Sequence, residues 1–590
     1  MTEAIQTPKP IESEVTPEDE VTDEELAKKI LSEKDVYAKS TQDLRKDMQE
    51  IWKAMNGELS AAVYPWENPQ FIPKMRTEVS FVTPYIFSGE PDMEVTLEGD
   101  EDKAAAFILD KMLSYRTERQ PKLFDVALSW VTQGVALGTS LLKVSWCFKP
   151  GDIVSDGTPI DRPQYSVPNI LDIYVNPLIP NIEDQVSVIE RVAMTVGDIK
   201  KSTYFNDNKL KVKAKGKPTN SDSGSETLDS TDLQATDQLN TEFEIIDVYE
   251  RWTNESVSTI ADAAEGPILL RDEPNPYKFI PYSKFIFEQQ AIPNRFYGNG
   301  IGQNTLGLQE MHYDLFNLVM LNLKIVVNKM WRIDPGSRVN PSDLIARPGG
   351  TIRATKDEAE AVIQDDLKES GFNMLAMISD EHKRASGATD VIQASTMSRT
   401  MGQDQMAQNS AVNRFELARK RLKSALSRIG WMTLRMDINN LQSVDAEIMK
   451  IFPQAERAGI FQYIQMFMKD MIYDVHVQGD TIVAPNKDVM AKQLLDLYNL
   501  MANDLLPQEK RVFAREIARM RGIKNVKELI PDFQQPQIDP ATGQPIMQGQ
   551  PQGQPGQPVD GNMLPQQFQV PTQEGVNESV YGLEQPNSYQ

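Results

Sequence analysis

The sequence predicts an α+β protein in which helices predominate. Apolar side chains recur with helical spacing through three long stretches, 303–330, 368–386 and 404–443. Shorter stretches, such as 141–146 and 473–483, alternate apolar and polar residues as half-buried strands do. At 590 residues, the chain has the length of roughly four domains.

The stretch 293–330 organises the rest of the chain. Three glycines between positions 298 and 302 predict a turn, because glycine accepts positive φ at low steric cost. A helical pattern follows, and Asn304 or Thr305 can cap its first unpaired N–H groups. Its roughly 26 residues give a rod about 40 Å long, well above the average for a globular helix.

Polar side chains fall close to one stripe of this helix, and most other positions between Met311 and Val327 are apolar. The pattern predicts a helix with neighbours on most sides and a narrow wet face. A membrane span is not expected, because the apolar run is short and is interrupted by polar residues. A buried core helix of a large α-rich domain is the alternative. The stripe comprises Glu310, Asp314, Asn317, Lys324, Asn328 and Lys329.

Charge and cysteine content narrow the class of protein. The net charge is −24 and the isoelectric point is near 4.7. Tight DNA binding requires phosphate neutralisation by Lys and Arg, so this balance argues against a protein that grips DNA. The single Cys147 excludes an intramolecular disulfide and fits a reducing cytoplasm. The acidic first residues contain no apolar core of a signal peptide, so none is expected.

The beginning of the chain predicts an arm followed by helix and strand. Residues 1–25 are acidic and poor in apolar side chains, which is typical of a mobile arm. Residues 23–55 predict an amphipathic surface helix. The apolar run 78–89, interrupted by Pro84, predicts a strand.

Two helices and a strand are expected next. Ala105, Ile108, Leu109 and Met112 form one helical face. Pro121 opens a second helix, which Gly134 and Gly138 end, and the strand 141–146 follows. Thr195 and Asp198 predict a capping box at the start of a short helix.

Residues 206–242 differ in composition from the sequence before them. Lysines alternate with other residues from Lys209 to Lys217, and a stretch rich in Ser, Asp and Thr follows. A basic loop that touches DNA or an acidic partner is one interpretation. A solvated loop whose lysines prevent edge pairing is the simpler and favoured one. Strand-like runs at 243–253 and 276–289 lead into the central stretch.

Beyond the central stretch, residues 330–355 form a Pro/Gly-rich segment with short strand-like runs at 344–345 and 351–353. A helical pattern is then broken at Ser386 and Gly387. After 473–483, a helix is expected from Asn486, and Gln, Pro and Gly dominate from Gln534 onward. That composition cannot bury a core and predicts disorder.

The sequence marks no catalytic chemistry. It contains no G-x-x-x-x-G-K-[ST] motif, and the glycines at 298–302 lack the lysine and the βαβ unit of a phosphate-binding loop. His312, His382 and His476 stand apart without the spacing of metal ligands. No enzyme activity, catalytic residue, metal site or cofactor is predicted.

Four segments together resemble one protein family, that of the portal (head-to-tail connector) proteins of tailed double-stranded DNA bacteriophages. The segments are 167–201, 296–322, 347–354 and 373–395, and the resemblance spans roughly 70–500. No single motif among them is diagnostic; their order carries the resemblance. It implies the portal fold of wing, stem, clip, tunnel loop and crown in a ring oligomer.

The resemblance also implies a domain assignment. Residues 303–330 and 368–386 are expected to be the two stem helices, the first of them entered through the turn at 293–302. The implied order is a disordered acidic arm (1–25), wing (26–292, with polar loop 206–242), first stem helix (293–330), clip (331–367), second stem helix (368–386), tunnel loop (387–403), long wing helix (404–443), crown (444–530) and disordered Gln/Pro-rich tail (531–590).

The expected role is a dodecameric ring at one capsid vertex of the virion, assembled in the host cytoplasm, with no membrane association. Double-stranded DNA would pass through its channel without sequence specificity during packaging and ejection. The major capsid protein, the terminase and head-to-tail adaptor or tail proteins are the expected partners. Another virion structural protein, either a tail adaptor or an internal ejection protein, is the alternative. A monomeric or dimeric enzyme or nucleic-acid-binding factor would be distinguished by its mass.

Candidate site residues follow from this assignment. Lys324, Lys329, Arg332 and Arg338 either ring the lower end of the channel or pair with acids on adjacent subunits. The loop 387–403 either touches DNA weakly or is an ordinary helix–helix connection. The loop candidates are Ser386, Thr389, Asp390, Gln393, Ser395, Thr396 and Arg399, and the clip-docking candidates are Arg332, Arg338 and Arg347.

Overall fold

The computed structural model describes most of the chain up to residue 477 and short pieces beyond it. The described residues are 22–58, 69–97, 103–118, 122–153, 159–213, 243–327, 330–337, 339–344, 359–362, 369–388, 415–468 and 473–477, with short pieces between 494 and 518. The chain divides into two compact units, Met1–Asn486 and Lys487–Gln590. Both helix and strand are abundant and helix predominates, which confirms the predicted α+β class.

Described helices of the first unit alternate with short antiparallel sheets. The helices are α1 (Asp23–Ser40), α2 (Gln42–Asn56), α3 (Lys74–Ile86), α4 (Lys103–Glu118), α5 (Leu123–Leu137), α6 (Val196–Lys201), α7 (Ile301–Val327), α8 (Glu369–Ser386), α9 (Glu416–Asn440) and α10 (Arg457–Tyr463). The strands are β1 (Met93–Leu97), β2 (Thr139–Ile153), β3 (Pro159–Ser166), β4 (Ile173–Tyr174), β5 (Val188–Thr195), β6 (Ile245–Trp252), β7 (Ser256–Ala263), β8 (Gly266–Pro274), β9 (Tyr282–Ile286), β10 (Trp331–Ile333), β11 (Ala359–Ala361) and β12 (Tyr473–Val477).

The largest sheet has the order β4-β5-β6-β7-β8, with every pair antiparallel. Helix α1 covers one face, where Ala27 and Ile30 pack in a cluster with Tyr249 and Ile260. Helix α6 and the following turn cover the other face through buried Val196, Ile199 and Val212. The predicted capping of α6 is present, because Thr195 Oγ1 accepts a hydrogen bond from Asp198 N at 3.1 Å.

The main core surrounds the second sheet, β3-β2-β9. Trp130 of α5 meets Phe285 of β9 edge to face at 5.9 Å between ring centroids. Helix α9 lies along this sheet and buries Leu422, Leu426 and Ile429. Because β2 is covered on both sides, Leu141 and Lys143 are buried as well as Leu142 and Val144, so the strand is not half-buried as predicted.

The predicted strand 78–89 is wrong, because these residues belong mainly to helix α3. Met75, Val79, Val82 and Ile86 are buried at helical spacing against the core. Pro84 lies in the last turn, where its missing N–H removes only one helical hydrogen bond. Tertiary burial therefore outweighs the strand preference of the β-branched and aromatic residues in this run.

Several predicted boundaries also move. The single helix predicted over 23–55 is two helices that meet at Thr41. Gly134 lies inside α5 rather than at its end, while Gly138 ends the helix with a φ of +85°. Within the predicted polar loop, Asp207–Lys211 form a 3-10 turn, and residues 214–242 lie outside the described residues.

The C-terminal part of the first unit packs with the main core. Strand β12 pairs antiparallel with β1, and Val475 lies so close to Gly430 of α9 that a Cβ there would be 2.8 Å away. Residues up to Asn486 therefore belong to the first compact unit. Leu344 belongs to a 3-10 turn, Pro341–Leu344, and not to a strand. Residues 1–21, 351–353 and 519–590 lie outside the described residues.

Replacing Gly138 by Ala is expected to destabilise the fold by at least about 2 kcal/mol, because the residue has positive φ and meets neighbouring backbone. An added Cβ would lie 2.4 Å from Gly298 O. The matched control is Gly459→Ala, in helix α10, where no atom lies within 4 Å and the substitution is expected to stabilise by about 0.5–1 kcal/mol. Thermal unfolding measures both, and equal midpoints for the two variants would contradict the assignment.

Candidate functional site

The entry to helix α7 is fixed by close backbone packing against the end of α5. A Cβ at Gly300 would lie 2.4 Å from Gly138 N, and a Cβ at Gly302 would lie 2.7 Å from Ala136 O. Gly300 N donates to Gln303 Oε1 at 2.7 Å, and Gln303 Nε2 donates to Leu137 O at 3.0 Å. These glycines are therefore required for contact between backbones, and the turn predicted from them is present.

The predicted cap of α7 is wrong. The helix begins at Ile301, so Asn304 and Thr305 lie inside its first turns. Thr305 is buried, and its hydroxyl donates to Ile301 O at 2.7 Å. Gln303 supplies the side-chain bond at the start of the helix instead, because it can reach both Gly300 and the end of α5.

Two amide side chains of α7 bind the backbone that leads into α3. Gln309 is buried; its Oε1 accepts from Met75 N at 3.2 Å and its Nε2 donates to Ile72 O at 2.9 Å. Asn317 Oδ1 accepts from Gln70 N at 2.7 Å, and its Nδ2 donates to Gln70 O at 3.2 Å. Each amide satisfies a donor and an acceptor, so residues 70–75 are held along α7.

Helix α8 joins the same place through buried polar side chains. Nδ1 of His382, which is fully buried, lies 2.7 Å from Glu78 Oε2 on α3. Lys74 Nζ, one turn before Glu78, donates to Ser379 Oγ at 2.5 Å. We call Lys74, Glu78, His312, Ser379 and His382 the polar joint, since they connect α3, α7 and α8.

His312 is the member of the polar joint on α7. Burial, together with the charges of nearby Lys74 and His382, lowers the pKa of His312 to about 4. Burial likewise lowers the pKa of Lys74. Among the described atoms, Nδ1 of His312 and Nε2 of His382 are buried without a hydrogen-bond partner. His312 is therefore neutral at pH 7, and its burial favours that form.

The outward face of α7 and α8 is mixed in character. Glu310, Asp314 and Lys324 are exposed, as the predicted stripe requires. Asn317 is half-buried and its amide binds the backbone of Gln70, so only part of this side chain stays in contact with solvent. Asn328 and Lys329 lie outside the described residues. Large apolar side chains are exposed on the same two helices, namely Met311, Leu318, Phe372, Met374 and Met377.

A two-stranded hairpin connects the far ends of the two helices. Strands β10 and β11 are antiparallel, and exposed Arg332 pairs with Glu360 directly opposite it. Met330 and Trp331 are also exposed here. Arg338 and Arg347 lie outside the described residues.

Helix α8 ends at Ser386, as its sequence predicts, because Gly387 adopts a φ of +79°. Ser386 is buried, its hydroxyl donates to Lys383 O at 3.2 Å, and it accepts from Ala388 N at 3.2 Å. The side chain thus closes the helix. The other candidates of the loop lie outside the described residues: Thr389, Asp390, Gln393, Ser395, Thr396 and Arg399.

No described helix is long and apolar enough to cross a membrane. The described residues also contain no group of three or more His, Cys, Asp or Glu side chains able to hold a metal ion.

Sequence reasoning missed Lys74, Glu78 and Gln309. Lys74 and Glu78 have the i, i+4 spacing of a helical pair, which signals a helix where a strand was predicted. Gln309 lies on the buried face of α7 with Thr305 and His312, and nothing local indicates that its partner is the backbone of residues 72 and 75.

Glu78 and His382 are expected to be energetically coupled. Glu78→Leu leaves buried His382 and half-buried Lys74 without the carboxylate, which costs roughly 1–3 kcal/mol. The double variant Glu78→Leu, His382→Leu should lose less than the sum of the two single variants, because the two side chains interact directly. Denaturant unfolding of the four proteins measures the coupling, and strictly additive losses would contradict it.

Acid is expected to weaken the joint through His312. The folded pKa of about 4 is below the ordinary value of 6.5, so the stability from this group is present above pH 6.5 and is lost as pH falls through 4. The total loss is at most about 3 kcal/mol, because solvent screening reduces the effect. His312→Gln should flatten the decline in stability between these pH values, whereas His476→Gln, at an exposed position, should leave it unchanged. Equal slopes for wild type and His312→Gln would overturn this expectation.

Comparison with known proteins agrees with the resemblance seen in the sequence. The family model of the phage SU10 portal protein matches residues 158–557, a range that contains β5 to β9, both helices of the polar joint that follow them and the β10–β11 hairpin. No curated protein matches the chain. Since the matched range covers more than half of the 590 residues, the chain belongs to the phage SU10 portal protein family.

Proposed function

We propose that the chain forms a ring, a dodecamer as the resemblance implies, whose axial channel passes double-stranded DNA during packaging and ejection. The observation that carries this proposal is the set of large apolar side chains left exposed on α7 and α8. Leu318 and Met377 are 61% and 60% exposed in the single chain. Large apolar side chains left exposed on a pair of neighbouring helices are typical of an interface, and family membership makes a second copy of the chain its natural occupant.

The contacts that hold α7 to the rest of the chain explain why its exposed apolar face has a fixed orientation. Helix α7 is tied to the body at Gln309 and Asn317, while the hairpin beyond residue 327 has its own two-stranded pairing. A helix fixed at one end offers the same face in every copy. In a ring, one face of each copy meets a different face of the next, and rotation closes the assembly.

Charge supports a channel through which DNA slides. Each chain carries a formal charge of −24, so twelve copies carry about −288. Glu310 and Asp314 are exposed on α7. A negative wall repels phosphates and prevents the duplex from settling at one position, since strong retention needs Lys and Arg contacts.

The remaining assignments follow the family. We propose that α7 and α8 are the stem, that the β10–β11 hairpin belongs to the clip, which docks the terminase and head-to-tail adaptors, and that residues 387–403 are the tunnel loop. We propose that residues 444–530 are the crown. The role is structural rather than enzymatic, in the virion at the capsid vertex, beside the major capsid protein. A tail adaptor or internal ejection protein remains the second candidate, and the family match favours the portal.

Introducing charge on the exposed apolar face should prevent the ring. The wild-type particle is expected at about 800 kDa, twelve times the 66.5 kDa of one chain, with a central hole in negative-stain images. Met311→Glu with Leu318→Glu should give a folded monomer by native mass spectrometry, because both side chains are exposed in the single chain. Val36→Glu, at an equally exposed position on α1, is the control and should still assemble.

A monomeric wild type with circular dichroism typical of a folded protein would contradict the proposed function. An intact ring in the double variant would instead show that this face of α7 is not the interface.

A further inference from the structure

We infer that the acidic residues 1–21 dock in their own chain onto a basic patch on the β4–β8 sheet. The patch lies where α6 and the turn Asp207–Lys211 cover that sheet. Five lysines within fourteen residues form it, although the chain as a whole is strongly acidic. We call these residues the basic patch: Lys200, Lys201, Lys209, Lys211 and Lys213.

Local contacts bring the lysines of the patch together. Lys209 Nζ donates to Ser202 O at 2.6 Å, which joins the turn to the end of α6. Lys211 Nζ donates to Asn208 Oδ1 at 2.9 Å, and Lys213 pairs with Glu265 at 2.8 Å. The sequence from Val196 to Lys213 contains five lysines and two aspartates, which give it a net charge of +3.

The patch also carries apolar surface. Leu210 is 67% exposed and Phe243, next to Glu244 whose carbonyl accepts from Val196 N, is 73% exposed. Tyr204 is exposed as well. The ligand that fits such a surface is an acidic segment with interspersed apolar side chains, since it matches both the charge and the apolar area.

Residues 1–21 have this composition and arrive at this place. They contain six carboxylates against one lysine, a net charge of −5, interspersed with Ile5, Ile11 and Val15. The described chain begins at Thr22, and Asp23 Oδ2 accepts a hydrogen bond from Asn208 Nδ2 at 3.3 Å. The segment 1–21 is therefore attached to the rest of the chain directly beside the turn that bears Lys209 and Lys211.

The attachment of residues 1–21 beside the basic patch favours them over nucleic acid as its occupant. Attachment beside the patch gives the segment an effective concentration in the millimolar range. Nucleic acid, in contrast, must approach a chain of net charge −24. Contacts between exposed charges are individually weak and are screened by salt. The docked state is thus reversible and is expected to open at high ionic strength.

Lysine reactivity tests the inference on the full chain. Acetylation of Lys200, Lys201 and Lys211 is compared between wild type and a variant with Glu12→Gln, Glu14→Gln, Glu18→Gln, Asp19→Asn and Glu20→Gln. At low salt these lysines should react roughly threefold or more slowly in wild type, because the segment covers them, and the difference should vanish near 0.5 M NaCl. Lys28, which is exposed on α1, is the internal reference.

Equal reactivity of the patch in both proteins at low salt overturns the inference. The inference is also overturned if the lysines stay protected in this variant and lose their protection only when the acids between 222 and 237 are neutralised. A different segment of the chain would then occupy the patch. Mixing isotope-labelled and unlabelled protein before carbodiimide cross-linking separates docking within one chain from docking between copies. Cross-links found only between labelled and unlabelled copies also contradict docking within the chain.

Discussion

The polar joint between α3, α7 and α8 is the constraint on which the candidate site depends. Glu78 and His382 are both buried, and a buried carboxylate is stable only when its partners are in place. The joint therefore specifies one register of α8 on α3, because a shift of one turn would leave Glu78, Lys74 and His382 without their partners. Gln309 and Asn317 fix α7 against the same segment through backbone bonds. The surface shown by the two helices follows from this register.

A second group of buried charges holds the body to which the joint is attached. Lys143 of β2 lies 2.6 Å from Glu190 of β5 and also pairs with Glu250 of β6, so it connects the two sheets. Burial alone would lower the pKa of Lys143, but Glu250 and Glu190 raise it above its ordinary value. Tyr282 OH donates to Glu190 at 2.5 Å, and burial beside these carboxylates raises the pKa of the phenol. The ammonium group of Lys143 thus has carboxylate partners on both β5 and β6, which makes the contact between the sheets specific.

Sequence patterns predicted those elements whose signals are local. The glycine turn before α7, the helix α8 with its end at Ser386, and the cap of α6 are determined by residues within a few positions of one another. Helix α3 was missed because Val79, Phe81 and Val82 are strand formers, and only burial against distant residues selects the helix. Joint partners lie far apart in sequence; Glu78 and His382 are separated by 304 positions. No periodicity within one segment can reveal such a pair.

Asn317 shows that a distant partner also decides which polar side chains of α7 stay exposed. Its spacing places it on the polar stripe with Glu310 and Asp314, yet Gln70, 247 positions away, takes its amide. The polar face of α7 is consequently divided into a part that binds its own chain and a part that stays exposed. The exposed part carries the acids together with Met311 and Leu318, which lie beside them on the helix. This arrangement suits a contact between two copies of the chain that lies at the edge of a negatively charged surface. The apolar side chains can be buried in the contact while the neighbouring acidic side chains stay in water.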